Sequence, residues 1–460
     1  MLLTRLDLFI KKRRVRKLPL ARAAGYTRQH LLRMRLGHQE PSRRFILDMT
    51  KALSAATGEA IKPGQLFERA DQLLLTNAKR LRSVHAQDLR LVDYFVANAT
   101  DSDAASLQAS GIASETAVRH LYYAGQKRID KKPGEAAVIF YAAALMATRL
   151  PADTPAELKA SLQAASLKGR ANALRHLGNF DDALADLRVA SRLFVAARYC
   201  KSEAGQVEYS RGGIYFTMER WTEAINAAIA ARQHFLAAND MRRVAHADIL
   251  IAVSNFEQGN TALAHEIWLQ VERLLTALND RDNLARVWHN LAVLEISRRD
   301  AGQARSYLDR AAETFRQLDN AIELARTEWS RATYIATFDS PARAIPALRR
   351  VRHTFAELGD QTNVACVGLQ LVEIRSATAP HADAALARDA SSVADDLLRL
   401  GLNVSAANAL DQLRRIAVAR NRRAVIEDVR AVLREHDISC HPAWTEADEA
   451  ENDPDPVNDA

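Results

Sequence analysis

The chain of 460 residues is 48% hydrophobic, enough to build well-packed cores in more than one domain. Few aromatics (6%), 17 glycines and 12 prolines in a chain rich in Ala, Leu and Arg favour helix over strand and exclude a low-complexity class. The net charge of +7 hides an asymmetry: residues 1–67 carry fifteen Lys or Arg against four Asp or Glu, while the rest has 48 basic and 52 acidic groups.

Such a surplus, confined to a small terminal block, is the footprint of a surface for phosphate backbones. A solubility arm or a lipid-touching arm is the alternative. Within the block, Leu3, Leu6, Phe9 and Ile10 recur at helical spacing before the basic run Lys11–Arg14. A second short helix is expected over Pro19–Ala24, with Gly25 supplying the positive φ of a tight turn. Thr27 then caps a third helix, Arg28–Arg35, from which Leu31 and Met34 point inward, and Gly37 ends it. After Pro41 a fourth helix carries Phe45, Ile46, Met49 and Leu53 on one face, and a short fifth element ends in Gln65-Leu66-Phe67.

Two helices joined by a turn of about three residues, the second polar and basic at its start, form a helix-turn-helix signature. Arg28, Gln29 and Arg33 project outward together; Arg suits guanine bidentately and Gln suits adenine, so these three are the expected base contacts. Lys17, Arg43 and Arg44 flank them as expected phosphate contacts. The run Leu20-Ala21-Arg22, Gly25-Tyr26-Thr27, Leu31, Gly37, Pro41, Ala52-Leu53 and Leu66-Phe67 resembles the Xre/phage-repressor type of helix-turn-helix over nearly all of residues 3–67. That resemblance implies base reading from the start of the third helix. The chain departs from the pattern at Arg35, where many members have Glu, at Leu32, where a small polar residue is common, and at Pro19, often a polar cap.

Residues 68–113 read as a helical linker, helical over Asp71–Asn98 and then rich in Ser and Ala, where a dimer contact is plausible. Beyond it self-similarity dominates. Ala183, Ala224, Ala264, Ala304 and Ala344, with fainter copies at Ala384 and Ala424, recur at 40 or 41 residues. Twelve residues before them stand Ala171, Gly212, Ala252, Ala292 and Ala332, with Val372 and Gln412 where the pattern frays; eleven after come Phe194, Phe235, Leu275, Phe315 and Phe355. Small residues at fixed points let paired helices approach closely, and the large residue fills the gap to the next pair.

This resembles the tetratricopeptide repeat, whose usual period is about 34, so helices a turn longer or a longer link are expected. Tyr122–Leu150 reads as an earlier, divergent copy. The expected fold is all-α: a five-helix helix-turn-helix domain at 1–67, then a right-handed α-solenoid of about eight tetratricopeptide-like helical pairs at 114–437. First helices would line the concave side, placing Lys168, Asn172, Arg175, Tyr209, His246, Arg286, Asn290 and Arg326 in an effector groove. Lys168 and Asn172 match by position two members of the carboxylate clamp of some tetratricopeptide domains, whereas Ser210 stands where that clamp has its next Asn. Taken one at a time, each of these residues reads first as an ordinary solvated polar group.

Residues 438–460 read as a disordered tail, acidic from Thr445 on with seven acids and no base: first a solvated end with no function, and as the alternative a weak mask for the basic domain. Cys200, Cys366 and Cys440 form neither metal-ligand spacing nor a disulfide framework. The longest apolar stretch, Ala136–Ala147, is too short to span a bilayer, and the N-terminus has no cleavage-site pattern, so a cytoplasmic protein is expected. No phosphate-binding glycine loop, HExxH or paired metal histidines appear; no cofactor, metal or catalytic group is expected, and the chain does not read as an enzyme.

The order of domains resembles the peptide-pheromone-responsive (RRNPP-like) transcription regulators. The resemblance implies a homodimer, double-stranded DNA at the reader, and a peptide or protein effector in the repeat groove that shifts operator binding. The alternatives are an interaction adaptor with an accessory basic domain and, from the enzyme class, a repeat protein acting on response-regulator phosphoryl groups, which would need a catalytic Gln or acid in the groove.

Overall fold

Side-chain caps and left-handed turn residues set many of the helix boundaries. A computed structural model describes residues 4–35, 41–68, 90–99, 107, 112–129, 132–197, 201–378, 384–400, 403–419 and 429. Among these residues all regular secondary structure is helical, as the composition predicts. Gly37, Cys200, Cys440, residues 71–89, the anchor at Ala424 and the acidic segment lie outside them. The chain divides into two compact units, 1–254 and 255–460.

The first unit opens with five helices: α1 Arg5–Lys12, α2 Lys17–Ala23, α3 Arg28–Arg35, α4 Arg43–Thr57 and α5 Pro63–Leu66. α2 begins two residues before the expected Pro19, which sits in the first turn, where a backbone N–H has no helical partner to lose. Gly25 adopts φ +77°, and the Thr27 hydroxyl accepts from the His30 amide at 3.1 Å, so α3 starts where its cap dictates. The Ser42 hydroxyl caps α4 by accepting from Phe45 at 3.1 Å. Leu6, Ile10, Leu31, Phe45, Ile46, Met49 and Leu53 close one core.

Arg35 points into this domain. Its Nε donates to Asp7 of α1 at 2.8 Å, and its carbonyl accepts from the Thr4 hydroxyl at 2.8 Å. The basic residue at this position is thus balanced within the domain.

The repeats follow as antiparallel helical pairs. Most helices run 17 residues and are joined by three-residue turns, which accounts for the 40-residue period. The turns repeat one device: a left-handed residue at Gly178, Glu219, Asn239, Gly259, Asn279, Arg299, Asp319 and Gly359. At the Glu219 turn, the Arg220 amide reaches back to the Tyr215 carbonyl at 2.8 Å. The alanines at 171, 183, 224, 252, 264, 292, 304, 332 and 344 are at most 1% exposed, and the Phe/Leu series from Phe194 to Phe355 at most 3%.

Glycine tightens the first pairs further. A methyl group built on Gly125 would meet the Phe140 ring at 2.9 Å, one on Gly169 would meet it closer still, and one on Gly205 would meet Phe235 at 2.7 Å. Phe140 is fully buried, so it has nowhere to retreat. Gly169→Ala is therefore expected to destabilise the chain by about 1–3 kcal/mol through overpacking, read as a lower urea midpoint. An unchanged midpoint would contradict the packing at Phe140.

The N-terminal domain is joined to the first repeat pairs by buried charge. Arg5 of α1 and Glu115, at the start of helix Glu115–Arg128, meet at 2.5 Å with side chains 5% and 2% exposed. Arg5 also donates to the Gly64 carbonyl at 2.9 Å and to Asp153 at 3.2 Å. Glu68 accepts from the Glu115 amide at 2.8 Å and the Thr116 amide at 3.2 Å, and Lys12 meets Glu157 at 2.5 Å. Burial pushes the Glu115 carboxyl above its ordinary value, against the pull of Arg119 and Arg5. Removing one partner strands the other charge, so Arg5→Ala should cost about 3–5 kcal/mol. The double change Arg5→Met/Glu115→Leu should recover much of that loss in a thermal melt; a double variant as unstable as the sum of the singles would count against the pair.

Candidate nucleic-acid interface and repeat cleft

Because the αL turn at Gly25 and the Thr27 cap fix how α3 leaves α2, one side of α3 stays free. Arg28, Gln29 and Arg33 are exposed there, together with Leu32, while Leu31 and Met34 pack inward. Lys17, Arg43 and Arg44 are exposed on the flanking helices. Among the described residues Lys17, Arg28, Arg33 and Arg43 form no ion pair; Arg44 meets Asp48 at 3.6 Å across an exposed helical turn. The Lys17 ammonium is held below its ordinary value, first by partial burial and then by Arg35, Lys11 and Arg28, which outweigh Asp7.

Tyr26 stiffens the base of this surface. Its hydroxyl donates to Asp48 at 2.9 Å, and its ring stacks on His30 with centroids 5.0 Å apart and meets the edge of Phe45 at 4.8 Å.

In the same unit a cleft of about 550 Å³ opens between successive first helices. It is walled by Lys168, Asn172 and Arg175 of helix Ala156–His176 and by Gln206, Tyr209 and Ser210 of helix Lys201–Thr217. These four of the residues expected in the groove, Lys168, Asn172, Arg175 and Tyr209, are brought together; His246 stands beside Tyr209, ring centroids 6.3 Å apart, outside the lining. Gln206 and Gln126 are lining residues the repeat pattern does not single out.

The Lys168 ammonium donates to Gln206 at 2.5 Å. Burial, with Arg243 adding to it and Glu203 opposing, brings its pKa down to about 8. A cation held this way is poised to accept a carboxylate.

Arg286, Asn290 and Arg326 belong to the second unit. Arg286 and Arg326 are not free groove cations: both bind the buried Glu323, at 2.6 Å and 3.0 Å. Arg286 also meets Asp282 at 3.3 Å and Arg326 meets Asp360 at 3.9 Å, so these arginines tie successive repeats. His289 beside them is pushed down to about 4, by burial first and by Arg326 and Arg286 after it, and bonds Ser330 at 2.7 Å as a neutral ring. Among the described residues no group of His, Cys, Asp or Glu has metal-binding geometry, and no helix is long and apolar enough to cross a membrane.

Fold and repeats together define an all-helical protein of the tetratricopeptide-like solenoid class. Two solved structures show the same fold over 78% of this chain at 14% identity and a TM-score of 0.50. They are a Rap protein complexed with competence and sporulation factor, all of whose chain is covered, and the apo form of the quorum sensor NprR from B. thuringiensis, 99% covered. No family model and no curated protein matches the sequence.

The low Lys168 pKa has a consequence for stability. Below pH 8 the folded chain carries the full penalty of a shielded ammonium; the penalty lifts as pH rises towards the ordinary value of 10.5. Relative to Lys168→Met, the wild type should therefore gain stability between pH 8 and 10.5 in denaturant titrations. A difference that stays flat across that window would contradict the buried placement.

Proposed function

We propose that the chain is a sequence-specific DNA-binding transcription regulator whose repeat array takes a peptide effector that alters operator binding. The observation that carries the DNA half is the exposed set Arg28, Gln29 and Arg33 on a capped helix, with Lys17, Arg43 and Arg44 around it and no ion pair on either base-facing arginine among the described residues. Residues 1–67 hold a surplus of eleven positive charges, which suits counter-ion release from a duplex. A homodimer is part of the proposal, since paired readers match half-sites one helical turn apart.

The peptide half is supported by the cleft at Lys168. Amide and hydroxyl groups of Asn172, Gln206, Tyr209 and Ser210 suit an extended backbone, and Lys168 and Arg175 suit its carboxylates. The similar structures are, by their descriptions, a complex with competence and sporulation factor and a quorum sensor, in line with an effector-taking array.

A physical route joins the two halves. Helix Glu115–Arg128 holds Arg5 of the reader at its first residue and contributes Gln126 to the cleft near its last. Helix Ala156–His176 likewise carries Glu157, paired with Lys12, at one end and Lys168, Asn172 and Arg175 towards the other. A peptide that binds one arrangement of these helices better than another must change how the reader is held.

In a gel shift on the DNA upstream of the chain's own coding sequence, wild type should form a discrete complex at moderate salt. Arg28→Ala/Gln29→Ala should weaken it by about 1–3 kcal/mol per lost bidentate contact while leaving weak nonspecific binding. Absence of any sequence-specific complex for the wild type would sink the regulator reading. For the effector, a short peptide that raises the melting temperature should bind more weakly above pH 8, as Lys168 loses its proton. Binding indifferent to pH and to Lys168→Met would move the effector elsewhere.

A further inference from the structure

The second unit holds a charged cleft that neither the proposed reader nor the proposed effector site uses. A cavity of about 500 Å³ lies among helices Pro341–Glu357, Gln361–Thr378 and Ala384–Arg399. Its walls carry Arg349, Arg352 and Arg375, with His353 at the rim, against a single lining acid, Asp389. Asp389 is already bound to Arg375, and His353 meets Glu357 at 3.3 Å. Among the described residues Arg349 and Arg352 have no acidic partner within ion-pair distance.

Gly368 makes the room. A methyl group there would lie 3.0 Å from Val393 and 3.7 Å from the Arg352 guanidinium, so any other residue would crowd the floor of the cleft. Two unneutralised guanidiniums beside a third that holds a carboxylate form a cradle for a carboxylate-rich strand, because each planar fork takes a carboxylate in bidentate fashion. The Arg375–Asp389 contact shows one such pair in place.

We propose that this cleft is the docking site of the chain's own acidic segment, residues 446–459. That segment carries seven carboxylates and no base, the complement of the open arginines. Its reach is sufficient. Val429 packs in the same apolar cluster as Val372 and Val393, which line the cleft, and Glu446 lies 17 positions further on, within an extended span of roughly 60 Å. Tethering raises the local concentration of the segment to about the millimolar range, so individually weak pairs suffice. In this position the acids neutralise the second unit's cleft and are withheld from the basic reader.

The test uses full-length protein and a labelled synthetic peptide of residues 445–459, followed by fluorescence anisotropy at low salt. One variant has all seven carboxylates between 446 and 459 converted to amides; another adds Arg349→Gln and Arg352→Gln to it, with circular dichroism and melting curves checking the fold. A single Arg349→Gln, at an exposed position, keeps the test open should the double change unfold the chain. The amidated chain should bind the peptide at least about ten-fold more tightly than wild type, in which the tethered segment competes. Arg349→Gln should weaken that binding several-fold, and the double change should abolish it. No binding to the amidated chain, equal binding by amidated and wild-type chains, or binding that survives loss of the arginines would each overturn the proposal.

Discussion

The close approach of paired helices at small residues is the constraint from which the rest of the molecule follows. Where Ala171 meets the helix of Ala183, and where their counterparts recur every 40 residues, backbones approach too closely for a larger side chain. Phe194, Phe235, Leu275, Phe315 and Phe355 then fill the space to the next pair. With crossing points fixed and helices of constant length, successive first helices present their polar residues in register, and a cleft such as that at Lys168 arises between neighbours. In the first pairs glycines 125, 169 and 205 leave room where Phe140 and Phe235 press in.

On that frame the N-terminal domain is seated by buried charge as well as by apolar contact, Leu8 of α1 lying in the same core cluster as Val118 and Leu121. Arg5 and Glu115 are nearly inaccessible and hold each other, with Glu68 closing the helix start beside them. A buried pair of this kind adds little net stability over apolar residues, but it tolerates few alternative arrangements, because any shift that separates the partners strands both. Under the proposed function, the two helices that contact α1 also wall the cleft, so the ligand site is joined to the domain that carries the DNA site through shared helices.

The fold was legible because its signals are local or periodic. Gly25, Thr27 and the inward pair Leu31 and Met34 determine α3 from within a dozen residues, and the anchoring alanines announce themselves by spacing alone. Partners supplied from far away were not legible. Glu115 is 110 residues from Arg5, and nothing marks either out among the chain's 63 basic and 56 acidic groups. Arg286 and Arg326 look like open groove cations until Glu323, 37 residues from Arg286, is seen between them. Arg349 and Arg352 carry no signal of a cleft in the sequence; the cleft arises from three packed helices, with Gly368 leaving room beside Val393. The start of α2 moved for a simpler reason: proline is accepted anywhere in the first turn, so it marks a helix start only to within a turn.

The central claim is that the exposed face of α3 reads base sequence. Selection of binding sites by the full-length chain from a pool of random duplex DNA tests it most directly. The account predicts enrichment of one motif, with the strongest preference at purines facing Arg28, Gln29 and Arg33, and loss of that preference on replacing these three by alanine. Recovery of DNA with no enriched motif, or the same motif from the triple variant, would contradict it.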